Sequence, residues 1–176
     1  MYNSENINNN NSEKHTKRAK TPAGQGRAEE SALPLIVNLV EISQDDYLFE
    51  HGKKSLDSDP LTSKATRIAK VRLNRKIFKN SSIKSGDQIS IKVFDGIEYI
   101  AVIDQVLITG NSRAITGKIE KTDLAYLKLS IAENLILASL DLVELNISYL
   151  LRYNYQSATY YLFAAPYDQV DKPTYY

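Results

Sequence analysis

The sequence predicts a mostly β protein: an antiparallel meander forming a sandwich or partly open barrel, preceded by a disordered N-terminal tail. Three observations carry this expectation. From Ala69 onward, apolar residues recur at alternate positions in short runs, the period of a half-buried strand. Turn residues separate those runs at about ten-residue spacing, and no element after residue 65 needs to be a long helix. The chain has 176 residues, 43% hydrophobic and 24% charged, a globular balance for one domain of roughly 100–150 residues plus a tail.

Residues 1–32 hold an Asn run at 8–11, a basic cluster at Lys14, Lys17, Arg18 and Lys20, and the step Gly24-Gln25-Gly26. Ile7 is the only large aliphatic residue there after Met1, so burial cannot offset the entropy of ordering the segment. A solvated linker is expected, and the domain is placed at 33–173, with 174–176 as its end. The block LPLIVNLVEI at 33–42 reads as a strand because of Pro34 and its β-branched content. Asp45, Asp46, Asp57 and Asp59 lack the glycine and terminal glutamate of a calcium loop and read as solvated carboxylates.

Ala69, Val71 and Leu73 alternate with Lys70, Arg72 and Asn74 as the next strand. In QISIKVFDGIEYIAVIDQV, Asp95-Gly96 supplies the positive φ angles of a type I′ turn between two alternating runs. A two-residue turn there pairs Phe94 with Ile97, Val93 with Glu98, Lys92 with Tyr99 and Ile91 with Ile100. One face then carries Ile89, Ile91, Val93, Ile100 and Val102. The other carries Phe94, Ile97, Tyr99, Ala101 and Ile103, too apolar for a solvated face, and so needs a cover or a partner. Further strands follow between turns at Gly110-Asn111, 121–123 and Glu133-Asn134. Their expected inward residues are Ile115, Ile119, Leu127, Leu129, Ile131, Ile136, Ala138, Leu140, Ile147, Tyr149, Leu151, Tyr161 and Phe163.

Several function classes are excluded or weakened by composition. Lys and Arg total 22 against 21 for Asp and Glu, so no global field gathers polyanions. The absence of cysteine removes disulfides, thiolate zinc ligands and thiol nucleophiles. His15 and His51 are too far apart in sequence for a zinc helix, no metal or cofactor motif is visible, and no nucleophile elbow or phosphate loop occurs. No apolar stretch approaches a membrane span, and the first residues lack the apolar region of a secretory signal. Asp95 and Glu98 flank a turn, and turn chemistry explains Asp95 without an acid/base role.

Two surface features stand out. Lys64, Arg67, Lys70, Arg72, Arg75, Lys76 and Lys79 put seven cations in sixteen residues with no acid among them. They read either as lysine protection of an edge strand or as a docking stripe for an acidic partner; without interleaved aromatics they argue against nucleic acid. The C-terminal region is rich in tyrosine at 149, 153, 155, 160, 161, 167, 175 and 176, with Phe163 among them, which serves either strand propensity or an outward recognition surface. The N-x-[ST] matches at Asn10, Asn80 and Asn146 decide nothing, being frequent by chance.

The residues Arg67, Val71, Leu73 and Asn74, then Phe94 and Asp95, then Gly117, Ile119 and Glu120, then Tyr149 and Leu151, and last Asp168 and Asp171 form a pattern over residues 67–173. It resembles the N-terminal propeptide-like domain of bacterial secreted reprolysin-type zinc metallopeptidases. The family's peptidase half, with its three-histidine zinc motif, is absent from this chain. The resemblance implies a non-catalytic regulatory or folding-assistant domain, extracellular or in the cell envelope, that binds a metallopeptidase catalytic domain in cis or in trans. Latency would then come from a segment crossing the peptidase cleft, or from a carboxylate such as Asp168 or Asp171 reaching the metal. Lys70, Arg72, Arg75, Phe94, Ile97, Tyr99, Tyr153, Tyr155, Tyr160, Asp168 and Asp171 are the expected partner-binding residues, with no catalytic and no metal-ligating residue. The alternative is an extracellular module recognising protein or carbohydrate through its tyrosine-rich sheet.

Overall fold

Alternating burial governs the chain from Arg67 onward, and the strands follow it. The computed structural model describes residues 36–41, 48, 56, 59–74, 83–133 and 135–170. The chain divides into two units, Met1–Ala32 and Leu33–Tyr176; the first, expected to be a disordered tail, lies outside the described residues. In the second, β1 is Ile36–Asn38, β2 is Val40–Glu41, α1 is Leu61–Lys64, β3 is Arg67–Leu73 and β4 is Gln88–Lys92. Then come β5 (Glu98–Thr109), β6 (Ser112–Ile119), β7 (Ala125–Ala132), β8 (Leu135–Leu142), β9 (Ile147–Asn154) and β10 (Thr159–Pro166).

The sheet order is β1-β4-β5-β6-β7-β8-β9-β10-β3-β2. From β4 to β3 every neighbouring pair is antiparallel, as a meander requires. The expected single strand at 33–42 is instead two short ones, and the reason is topological. β1 pairs in parallel with β4, β2 pairs antiparallel with β3, and only Leu39 separates them. The Leu39 amide donates to the Ser90 carbonyl (2.8 Å) while its own carbonyl accepts from the Asn74 amide (3.2 Å). One segment therefore joins the first and last strands of the antiparallel run and curls the sheet into a partly open barrel.

The inward face is a continuous core. β7 shows it best: Ala125, Leu127, Leu129 and Ile131 are buried and alternate with half-buried Tyr126, Lys128 and Ser130. Residues of β4, β7, β8, β9 and β10 and of the closing segment surround a void of only about 10 Å³, including Leu39, Ile91, Leu127, Leu140 and Leu162. Such a space holds about one water at most, so the interior is packed around it. A second apolar cluster lies on the outer face of β3, β9 and β10. Ile68, Leu150, Tyr161 and Phe163 pack there with Leu56 and Val170, against Leu48, Leu61 and Ala65. This corrects β10: Tyr161 and Phe163 are buried as expected, but outside the barrel, while Leu162 and Ala164 point in. Both faces of β10 are covered, so alternation alone could not choose between them.

The β4–β5 hairpin also differs from expectation. Asp95 (φ 61°) and Gly96 (φ 73°) take the positive φ angles foreseen, and the Ile97 amide bonds the Phe94 carbonyl. Pairing, however, runs Lys92↔Glu98, Ile91↔Tyr99, Ser90↔Ile100 and Ile89↔Ala101, and the Val93 amide bonds the Ile97 carbonyl. Phe94 is an additional loop residue, buried against the barrel end. The one-residue slip reverses which β5 side chains face inward. Tyr99, Ala101 and Ile103 join Ile89, Ile91 and Val93 in the core, whereas Ile97 is exposed. The over-apolar second face is thus the core face itself. Farther along, pairing with β6 shifts between Ile103 and Gln105, where a Cβ on Gly117 would come within 2.7 Å of the Val102 carbonyl oxygen. Glycine lets the two strands close at this bulge.

Candidate functional site

Past the closing segment, no described ladder joins β3 to β4, and side chains span the seam instead. Arg67, at the start of β3, makes a bidentate ion pair with Asp95 at the β4–β5 turn, at 2.5 and 2.8 Å. Its guanidinium also lies 4.5 Å from the centre of the Phe94 ring. A planar fork on a carboxylate, stacked on an aromatic face, suits arginine and not lysine. Phe94 in turn meets the Tyr149 ring at 6.2 Å, and Tyr99 meets Tyr149 at the same distance.

These groups border an open cleft of about 300 Å³ at this end of the barrel. Phe94, Ile147, Tyr149 and the 164–166 segment form its apolar walls; Arg67, Asp95 and Asn146 supply its polar rim. Asn146 sits in the left-handed region (φ 50°, ψ 42°), which turns the chain from the 143–145 loop into β9. Its carbonyl accepts from the Tyr167 amide (3.1 Å) and its side-chain oxygen from the Asp168 amide (3.2 Å), tying the exit segment to the cleft rim. The loops at this end of the strands carry three exposed aliphatics, Ile97 (47%), Leu124 (44%) and Leu145 (62%). The loops of the latter two are joined by a bond from the Val143 amide to the Leu124 carbonyl (3.0 Å).

Electrostatics follows from the geometry. The hydrogen bonds from Arg67, aided by its charge, hold the Asp95 carboxyl below the usual carboxylate range against slight desolvation. Burial pushes the Tyr149 hydroxyl above the usual phenol range, and the adjacent Tyr99 hydroxyl adds to the shift. Among the described residues no group of three His, Asp or Glu side chains could hold a metal ion.

The expected partner-binding residues divide between two ends and the wall of the barrel. Ile97 and Asp168 are exposed at the cleft end. Phe94 is 2% exposed and lines the cleft from beneath, and Tyr99 is half-buried against the core. Lys70 and Arg72 are exposed on the outer face of β3, and Arg75 and Asp171 lie outside the described residues. Tyr153, Tyr155 and Tyr160 gather at the opposite end, Tyr153 lying 5.1 Å from Tyr155 and 4.9 Å from Tyr160. The Tyr160 hydroxyl accepts from the Ile136 amide (2.9 Å), past the last β8–β9 pair, so its polar tip is used within the fold.

The expected partner-binding set leaves out Arg67, Tyr149, Asn146, Leu124 and Leu145. Arg67 looked like one more cation of a basic run. Its position at a strand start, with in-register Ala69 and Val71, was the signal that its side chain turns toward the barrel end.

No family model matches the chain. No curated protein matches it either. Among solved structures, one described as a chaperone–substrate complex is similar at 11% identity, covering 62% of this chain and 92% of that one, with a TM-score of 0.44.

Proposed function

We propose that the chain is a non-catalytic, propeptide-like docking domain that binds a zinc metallopeptidase catalytic domain through the cleft end of its barrel. The observation that carries this reading is that Ile97, Leu124 and Leu145 are exposed in three loops at the same end of the strands as the Arg67–Asp95 cleft. Apolar anchors beside a small pocket with an oriented ion pair are what a protein interface needs: area from the aliphatics, register from the charges. The resemblance over residues 67–173 supplies the class of partner and, with it, an extracellular or cell-envelope setting. The exit segment, held by Asn146 beside the same cleft, is the part best placed to reach a docked peptidase, with Asp168 exposed on it.

The test is inhibition and binding of a bacterial reprolysin-type catalytic domain by the purified chain added in trans. The chain should bind saturably and slow peptide hydrolysis, and Leu145→Glu should weaken binding at least tenfold with the fold intact by circular dichroism. Zinc-dependent hydrolysis by the chain alone would refute the non-catalytic reading. A second reading, an extracellular module for protein or carbohydrate, is favoured by Tyr155, 76% exposed beside Tyr153. There Tyr155→Ala, and not Leu145→Glu, would abolish binding.

A further inference from the structure

The composition leaves few side chains that a one-electron oxidant can attack. The sequence holds no cysteine and no tryptophan, its one methionine is Met1, and it holds 12 tyrosines. Thiols and thioethers, the usual sinks of oxidising equivalents, are therefore missing from residues 33–176. Phenols take their place.

Three of these phenols meet at the end of the barrel opposite the cleft. Tyr153 on β9 and Tyr160 on β10 are register partners, with ring centres 4.9 Å apart and planes tilted by 57°. Tyr155, in the turn that follows β9, lies 5.1 Å from Tyr153, edge to face. Both separations are at the short end of the usual range for aromatic pairs, about 4.5–7 Å. Centres this close are little farther apart than those of two directly bonded rings, and a tilted pair already has the twist of a biaryl.

The trio is held in place. The Tyr160 hydroxyl accepts from the Ile136 amide (2.9 Å), and the Asn154 side chain accepts from the Ser157 amide (2.9 Å), fixing the turn on which Tyr155 stands. Exposure falls along the series, from 76% at Tyr155 to half-buried Tyr153 and Tyr160. An oxidant in solution meets Tyr155 first, and the ring contacts lead inward from there. We propose that Tyr153 and Tyr160 form an oxidative cross-linking site, joined as a dityrosine by hydrogen peroxide and a haem peroxidase, with Tyr155 as the entry point for oxidation.

Each phenol gives up one electron and its hydroxyl proton to become a phenoxyl radical. The two radicals combine at ring carbons ortho to oxygen, so that one carbon–carbon bond forms, and the ortho hydrogens move to the oxygens as the rings regain aromaticity. Peroxide takes the two electrons and two protons, its oxygen–oxygen bond breaks, and two waters leave. The product staples β9 to β10, a role that disulfides fill in chains with cysteine. Tyr99 and Tyr149 provide an internal control: their centres are 6.2 Å apart, and Tyr149 is buried.

Limited oxidation of the full chain by peroxide and a haem peroxidase, at a dilution that disfavours links between molecules, tests this. The monomer should lose two hydrogens in mass and gain the fluorescence of a biphenol. The tryptic peptide that starts at Tyr153, after Arg152, should carry the loss and give no fragment ions from bonds between 153 and 160. Tyr153→Phe and Tyr160→Phe should each lower the yield of that species at least tenfold with an unchanged β spectrum, and Tyr155→Phe should slow its formation at least threefold without moving the link. A link placed elsewhere, such as Tyr99 to Tyr149, products formed only between molecules, or an unaltered yield in Tyr160→Phe would overturn the proposal. A wild-type rate in Tyr155→Phe would overturn the entry role. None of these residues borders the cleft, so the peptidase-binding test stands or falls separately.

Discussion

Replacing Phe94 by alanine removes the residue that sets the hairpin register and floors the cleft. Phe94 is 2% exposed, and full truncation of such a ring costs about 3–5 kcal/mol. Its tilted contact with Tyr149 at 6.2 Å accounts for about 0.5–1.5 kcal/mol beyond burial, and the half-exposed Arg67 above it for about 0.5–1 kcal/mol. A loop at a barrel end can relax into part of the space, which places the transfer cost at the low end, near 3 kcal/mol. The sum is about 4–5.5 kcal/mol. Urea unfolding followed by far-ultraviolet circular dichroism reads it as a midpoint shift of about 2 M, for a slope near 2 kcal/mol/M. Phe94→Leu should retain more than half of the stability lost. A loss below about 1 kcal/mol for Phe94→Ala would mean that the ring is solvated. The register, with Tyr99 inward, would then fall.

Three other expectations share the same unfolding assay. Gly117→Ala should destabilise by about 1–3 kcal/mol, because a Cβ there meets backbone at 2.7 Å beside the β5 bulge; a neutral result would show that β5 can move away. Asp95 has a lowered folded pKa, so its contribution is present above the ordinary carboxylate value and is lost as pH falls through the folded one. The stability gap between wild type and Asp95→Asn should close in that acid window, and a constant gap would argue against the ion pair. Tyr149 has a raised folded pKa, so above the ordinary phenol value the unfolded chain sheds a proton that the folded chain keeps. Stability should fall as pH rises past about 10, less steeply in Tyr149→Phe; equal slopes would contradict a shielded hydroxyl.

How far the fold was readable depended on whether one face or both were covered. β7 has a solvent-facing side, and Leu127, Leu129 and Ile131 declared its inner face by period alone. β10 and the β4–β5 hairpin did not, since Tyr161 and Phe163 are buried on the far face and Phe94 is absorbed into a loop that the Asp-Gly signal fitted equally well without it. Curling of the sheet depends on Leu39 bonding to the Ser90 carbonyl and the Asn74 amide, both far from it in sequence, contacts no local pattern encodes. The cleft was legible in pieces: Asp95 and Ile97 by the turn, Asp168 by the exit segment. Arg67 reaches Asp95 only because the curled sheet brings its two ends together.

Hydrogen exchange of the chain, alone and bound to a reprolysin-type catalytic domain, locates the docking face directly. Binding through the cleft end should slow exchange at 94–97, 143–147 and 164–168 and leave the 155–159 turn unchanged. Protection confined to the tyrosine end, or no protection with any such domain at saturating concentration, would contradict docking at the cleft.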